Sequence, residues 1–520
     1  MKKVSEMTLK EKIGQMIGLA FAGDSYSPER KLQVVEIGAG LIIFFKDNCV
    51  SPRQVFELNK EIMKNASIPP FIAIDQEGGM VARVTEGIVQ SPGAMPIGAT
   101  RELSHAYNLA KNMGTELRHL GVNFNFAPEA DVNNNPKNPV INVRSYSEDP
   151  EMVADYMYEA ARGYHDAGLM TSVKHFPGHG DTAVDSHIGL PVVDFDRERL
   201  DKIELVPFKR AIEKGLPGVM ASHVLYTKYD DKFPTTLSSK VIQGLLRDEL
   251  GFDGLVVTDS LTMSAVFDNF TVEEIAYYGF NSGCDILLLC GARRVELSKE
   301  FAAAALKLAE EGKIPMEKID AAVERIMRYK EMYRVGEMAD KFEDIEGDLE
   351  NPERMALAQK VADDSITLVK DEKGLLPIKK EEKTLVVFPQ IKVVTLVEND
   401  DSTLSCLADY MPFAVDKHYV SIAPTKEEQD ALLAKVGNYD KIVYCSYNAN
   451  FNPSQADLIN AIDKEKLVVV AVRTPYDINV LDVNTYICGY EASVLSFKAL
   501  AKVLTGQIKA KGILPVTINK

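Results

Sequence analysis

One pattern recurs through the first part of the chain: a short apolar, β-rich run followed by a longer amphipathic stretch. The runs include Ala39–Phe45, Phe71–Ile74, Val122–Phe126, Leu169–Val173, Gly218–Ala221, Leu255–Val257 and Ile286–Leu289. Between them lie Ser51–Asn65, Leu103–Leu120, Glu151–Ala167, Arg199–Lys214, Leu237–Leu250 and Val272–Ser282, with apolar residues at helical spacing and charges elsewhere. Strands joined by helical crossovers pair in parallel, and strands apolar throughout must be covered on both faces. At this length the alternation predicts an α/β fold whose first unit is a (β/α)8 TIM-like barrel, residues 1–335.

A helix over Met316–Met332 closes that unit, and the polar, acidic stretch 336–352 reads as a linker. Residues 353–520 form a smaller second unit, read as an open α/β layer structure. Its strands are expected at Ile366–Val369, Thr384–Phe388, Lys441–Cys445 and Leu467–Val472, and its helices at Lys426–Val436, Ser454–Lys464 and Glu491–Leu504. Near the start, Leu9, Ile13, Met16 and Ile17 share a helical face broken by charges, so the segment reads as a structural helix and not a signal peptide. No run approaches the ~18 apolar residues of a membrane span, and a cytoplasmic chain is expected. A net charge of −17 without a basic block argues against nucleic acid as partner. The six cysteines show no metal-binding spacing and read as buried thiols.

Polar residues cluster where the apolar runs end: Asp75, Pro128-Glu129, Lys174-His175, Ser222-His223, Asp259 and Cys290. In a barrel these positions share one mouth. The densest cluster, Lys174 to His187, holds three of the eight histidines. Asp185 and His187, two residues apart, fit a carboxylate–imidazole pair that moves protons near neutral pH, or two solvated groups on a loop. A metal is the rival use of His175, His179, Asp181 and His187. Their spacing fits neither a helical metal motif nor a finger, so no metal and no cofactor are expected. Asp259 reads as a nucleophile or as a helix N-cap. Asp75-Gln76-Glu77-Gly78-Gly79 with Arg83 is a second dense site, and Arg144, after the loop Asn133-Asn134-Asn135-Pro136, reads as a candidate functional residue or a surface partner of Glu148 or Asp149. Carboxylates beside Lys and Arg, without a phosphate-cradling loop, favour a polyhydroxylated ligand.

On these residues the chain resembles glycoside hydrolase family 3, in its β-N-acetylglucosaminidase (NagZ-type) branch. The motifs are Asp75-Gln76-Glu77-Gly78-Gly79 with Arg83, Arg144-Ser145-Tyr146, Lys174 to Thr182, Asp185-Ser186-His187 and Thr258-Asp259-Ser260, in the family's order. Leu376-Pro377-Ile378, Pro475-Tyr476-Asp477 and Lys511 to Val516 resemble its C-terminal α/β sandwich. The resemblance implies a retaining exo-β-N-acetylglucosaminidase acting on a small carbohydrate, a β-GlcNAc glycoside or muropeptide, as monomer or homodimer. It implies Asp259 as nucleophile, His187 as acid/base with Asp185 as its partner, and Asp75, Arg83, Arg144, Lys174 and His175 as sugar ligands. Glu398 or Glu491 would stand in for the acid of the family's glucosidases, a role the Asp185–His187 pair makes unnecessary. Met80 and Glu129 depart from the branch's pattern. A phosphorylase or β-glucosidase of the same fold, and a non-catalytic sugar-binding protein, are the alternatives.

Overall fold

The computed structural model describes residues 2–183, 189–290, 295–390 and 405–518. The first unit contains β1 (Ile17–Ala20), β2 (Leu41–Phe44), β3 (Phe71–Ile74), β4 (Phe124–Asn125), β5 (Met170–Thr171), β6 (Val173–Phe176), β7 (Val192–Val193), β8 (Gly218–Ala221), β9 (Leu225–Tyr226), β10 (Leu255–Thr258) and β11 (Leu287–Leu289). Setting aside the short β7–β9 pair, these form two arcs, β11-β1-β2-β3-β4-β5 and β6-β8-β10. β5 and β6 are two halves of one strand interrupted at Ser172, and a parallel bridge from Val257 to Ile286 joins β10 to the start of β11. All pairings around the ring are parallel. The result is a closed (β/α)8 barrel, and its strand residues are buried, as their continuous apolar character requires.

Several outer helices start where a polar cap meets a proline. Ser51 and Asp149 each accept a hydrogen bond from a first-turn N–H of the helices Pro52–Asn65 and Pro150–Asp166. Proline fits the next position because its missing N–H has no intrahelical partner there.

Three local expectations change. The first helix stops at Gln15, and Ile17–Ala20 becomes β1. Gly18 permits this, since a Cβ there would lie 2.4 Å from a Leu288 methyl of the neighbouring strand. The run Leu169–Val173 extends to Phe176, so Lys174 and His175 project from the strand itself. The helix expected over Arg199–Lys214 is two helices, Arg197–Lys202 and Leu205–Glu213. Pro207 explains the break, being tolerated in the first turn of a new helix but not within a longer one.

The second unit has β12 (Thr367–Asp371), β13 (Thr384–Gln390), β14 (Asp416–Ser421), β15 (Lys441–Ser446), β16 (Leu467–Ala471) and β17 (Thr485–Cys488). Their order is β12-β17-β16-β15-β13-β14, parallel except for β12 against β17. Alternate residues serve two cores: Leu385 and Val387 of β13 face one, and Val386 and Phe388 the other. The first of these cores also takes in Met95, Ala99 and Val143 of the barrel unit.

The units are joined by more than the linker. Phe342 and Ile345 of the connecting stretch are buried in the barrel's core. At the other end, the Ile513 N–H donates to the Ala99 carbonyl at 2.8 Å. Ser147 Oγ and Arg101 then donate to the carbonyls of Pro515 and Leu514, both at 2.7 Å. Among the described residues no helix is long and apolar enough to cross a membrane.

Candidate active site

The barrel mouth is built from strand ends. Asp75 follows β3, Glu129 and Asp131 lie beyond β4, Lys174 and His175 sit in the last turn of β6, and Asp259 follows β10. Three of these, Asp75, Glu129 and Lys174, join one ion-pair network with Glu77, Arg83 and Arg144. Lys174 Nζ donates to Asp75 Oδ1 at 2.9 Å and stands 2.6 Å from Glu77 Oε1. Arg144 Nε and Nη2 donate to the two oxygens of Glu77 at 2.9 and 2.8 Å. Arg144 Nη2 also reaches Glu129 Oε1 at 2.5 Å, and Nη1 donates to the Val140 carbonyl at 3.3 Å. Arg83 lies 3.6 Å from Asp75 Oδ2.

Arg144 is therefore not a surface residue, and its partners are Glu77 and Glu129, not Glu148 or Asp149. Nearly all its donors are taken, so in this structure it orients two carboxylates. Asp75 is the most exposed member of the network, with 17% of its side chain accessible.

The two glutamates on Arg144 differ in protonation. Burial works to raise Glu77, but Arg144 and Lys174 together hold it well below the usual carboxylate range. Glu129 is pushed well above that range, because burial and the neighbouring Glu77 and Asp131 charges outweigh Arg144.

A second cluster orients the histidines. Asp131 Oδ2 accepts from His175 Nδ1 at 2.7 Å, and Oδ1 accepts from the His179 backbone N–H at 2.6 Å. Burial would raise Asp131, but these contacts hold it lowered and ionised, which makes Nδ1 of His175 the protonated nitrogen. Burial and the adjacent His175 push His179 down to about 4, so it is neutral at pH 7. Glu129, Asp131 and His175 come close enough to form a potential metal cluster. Asp131 and His175 already use their facing atoms on each other. Of the donors named from sequence, His179 Nδ1 pairs with Thr182 Oγ1 at 2.7 Å and Asp181 with Arg199 at 2.7 Å, while His187 lies outside the described residues.

Asp259 is anchored by its own turn. Its N–H donates to the Ala221 carbonyl at 2.9 Å and its Oδ1 accepts from the Ser260 N–H at 2.7 Å. The next helix, Ser264–Phe267, begins only after Met263, so Asp259 does not cap it. Buried His223 steadies this turn, with Nε2 2.7 Å from the Ser260 carbonyl and Nδ1 2.8 Å from Thr236 Oγ1. Asp259 thus stands at the C-terminal end of β10, on the same mouth of the barrel as the ends of β3 and β6.

Asp185 and His187 lie outside the described residues, as does Glu398. The segment leading to the pair, residues 178–182, is tied down by hydrogen bonds to the rest of the barrel. Asn138 Nδ2 donates to the carbonyls of His179 and Gly180 at 2.8 and 3.0 Å, and Tyr226 Oη to that of Gly178 at 2.5 Å. A Cβ on Gly180 would lie 1.8 Å from the Val132 carbonyl oxygen.

Sequence reasoning gave no role to Glu77 or Asp131. Asp131 follows Glu129 by two residues, and strand-like alternation was a usable sign that both face the same side. Glu491 was expected inside a helix. That helix is Val494–Leu504, and Glu491 instead lies in the loop before it, buried in a cavity lined by Glu77, Gly78, Met80, Gly93, Glu129 and Arg144.

The profile of the Glycosyl hydrolase family 3 N terminal domain matches residues 8–329. The chain is 31% identical to beta-hexosaminidase A of Pseudoalteromonas piscicida, over 95% of this chain and 91% of that protein. It is 37% identical to a beta-hexosaminidase of Alkalilimnicola ehrlichii, over 53% of this chain and 80% of that one. Among solved structures, the glycoside hydrolase family 3 beta-N-acetylglucosaminidase of Paenibacillus sp. str. FPU-7 superposes with a TM-score of 0.93 at 40% identity, covering 98% of this chain and 99% of that one. The strand-end carboxylates, the barrel that presents them and these likenesses agree: the chain belongs to glycosyl hydrolase family 3.

Proposed function

We propose that this protein is a retaining exo-β-N-acetylglucosaminidase that removes terminal β-linked GlcNAc from small carbohydrates, including peptidoglycan-derived fragments, in the cytoplasm. The observation that carries the reading is Asp259, fixed by its turn at the end of β10, on the same mouth of the barrel as a dense polar network. The names of the relatives at 31% and 40% identity supply the sugar. Asp259 attacks the anomeric carbon and forms a glycosyl ester. His187, partnered by Asp185, protonates the leaving oxygen and then deprotonates the water that releases the sugar with retained configuration. Such proton transfer contributes roughly 10²–10⁴-fold. Asp185 and His187 enter this mechanism from the sequence. Asp75, Arg83, Lys174 and His175 hold the sugar hydroxyls, while Arg144 acts through Glu77 and Glu129.

The test is trapping with a 5-fluoro-β-GlcNAc fluoride, followed by peptide mapping. A glycosyl label on Asp259, together with loss of turnover in Asp259→Ala, is expected. A label on another residue would overturn the assignment. Product identity from aryl β-GlcNAc and aryl β-glucoside, each with and without phosphate, separates hydrolase from phosphorylase and glucosidase.

A further inference from the structure

The loop between β17 and the helix Val494–Leu504 carries an unusual backbone. Tyr490 has φ of 63°, a left-handed conformation that a bulky residue rarely adopts. Its ring is fully buried and its hydroxyl pairs with Thr367 Oγ1 at 2.7 Å. Such a conformation is strained and persists only where its surroundings over-determine it. What it achieves is the direction of the next residue. Glu491 leaves the second unit and enters the barrel's mouth, where it is 5% exposed.

The receiving surface is made by two glycines. A Cβ on Gly79 would lie 2.3 Å from Glu491 Oε1, and one on Gly93 would lie 3.2 Å from the same atom. Both glycines hold positive φ, 59° and 93°. Gly79 ends the turn that begins at Asp75 and carries Glu77, the residue gripped by Arg144 and Lys174. A carboxylate from one unit thus occupies a notch that no side chain of the other could share.

We infer that Glu491 is a positioning residue of the sugar site, a steric plug through which the second unit holds the Asp75–Gly79 turn and so keeps Glu77 on Arg144 and Lys174. The second unit is then a wall of the site and not an appendage. Glu491 takes no part in proton transfer. The inference rests on the glycosidase reading above only for its assay.

The experiment measures kcat and KM on an aryl β-GlcNAc, with melting temperature, for four variants of the full chain. Glu491→Ala empties the notch and should raise KM by roughly tenfold or more with kcat changed little, because it loosens ground-state positioning. Glu491→Gln keeps the shape and should behave as the parent. Gly79→Ala forces a clash and should be more damaging than Glu491→Ala. The double variant Gly79→Ala with Glu491→Ala should recover part of that loss. Parent-like KM in Glu491→Ala, strictly additive effects, or a kcat collapse in Glu491→Gln would each overturn the inference. If Glu491→Ala does not fold, Glu491→Asp, which withdraws the carboxylate from the notch by one methylene, takes its place, with a raised KM expected and a parent-like KM overturning the inference. Failure of the proposed function is distinguishable, because it shows as a parent chain that is not labelled on Asp259.

Discussion

Glu77 and Glu129 share one arginine, and the structure assigns them opposite protonation states. Exchanging each for glutamine separates the two directly. Glu77 faces three cationic N–H donors, two from Arg144 and one from Lys174. Its neutralisation leaves two fully buried cations short of a counter-charge, and breaking such a pair costs about 3–5 kcal/mol. Glu129 is already neutral, and a glutamine carbonyl still accepts from Arg144. Its exchange should cost about 1 kcal/mol or less, the worth of one adjusted hydrogen bond. Urea unfolding of Glu77→Gln, Glu129→Gln and parent at pH 7, read as midpoint shifts, makes the comparison. The pH dependence adds a sign. A carboxyl raised in the folded state contributes stability that is complete below its unfolded value and is lost as pH rises through its folded value. The parent should therefore weaken relative to Glu129→Gln on the alkaline side. Equal losses in the two variants at pH 7 would refute the assignment.

Two further pH effects follow from buried groups. His179 titrates near 6.5 when unfolded and near 4 when folded, so the unfolded state gains the proton first and stability falls as pH drops from 6.5 to 4, by about 3 kcal/mol; His179→Asn should flatten that slope, and an unchanged slope would count against it. Asp477 in the second unit is raised by burial to about 7, so its contribution is complete below the unfolded value near 3.8 and is lost as pH rises through 7; Asp477→Asn should be the more stable chain at pH 8 in thermal unfolding, and a parent more stable there would contradict the sign.

The barrel was legible because its signal is repetitive. Phe71–Ile74, Val272–Ser282 and Met316–Met332 fall where the apolar pattern puts them. β1 was not legible, because Met16 and Ile17 continue a helical face and only the contact of Gly18 with Leu288 makes the next residues a strand. β14 was missed for a similar reason. Asp416–Ser421 is an edge strand that is mostly exposed, so it lacks the apolar run that marks its neighbours. The location of the site was readable from polar residues at strand ends. The division of labour within it was not. Arg144 finds Glu77 across 67 residues and Glu129 across 15, and no local spacing announces such pairs. Glu491 was hidden by its short distance from a real helix, and its meaning depends on two glycines in the other unit.

The bonds between residues 513–515 and the barrel bear on how the protein is made. A ribosome delivers the barrel first, yet the notch beside Gly79 stays open until residue 491 has emerged, and the strap across Ala99 and Ser147 forms later still. At ~5–20 residues per second, residues 336–520 take roughly 10–40 s to follow the barrel. During that interval the barrel's mouth lacks one wall, and with it the plug that holds the Asp75–Gly79 turn. A site laid down by residues 75–259 is thus completed only when a residue more than two hundred positions later, Glu491, reaches its notch.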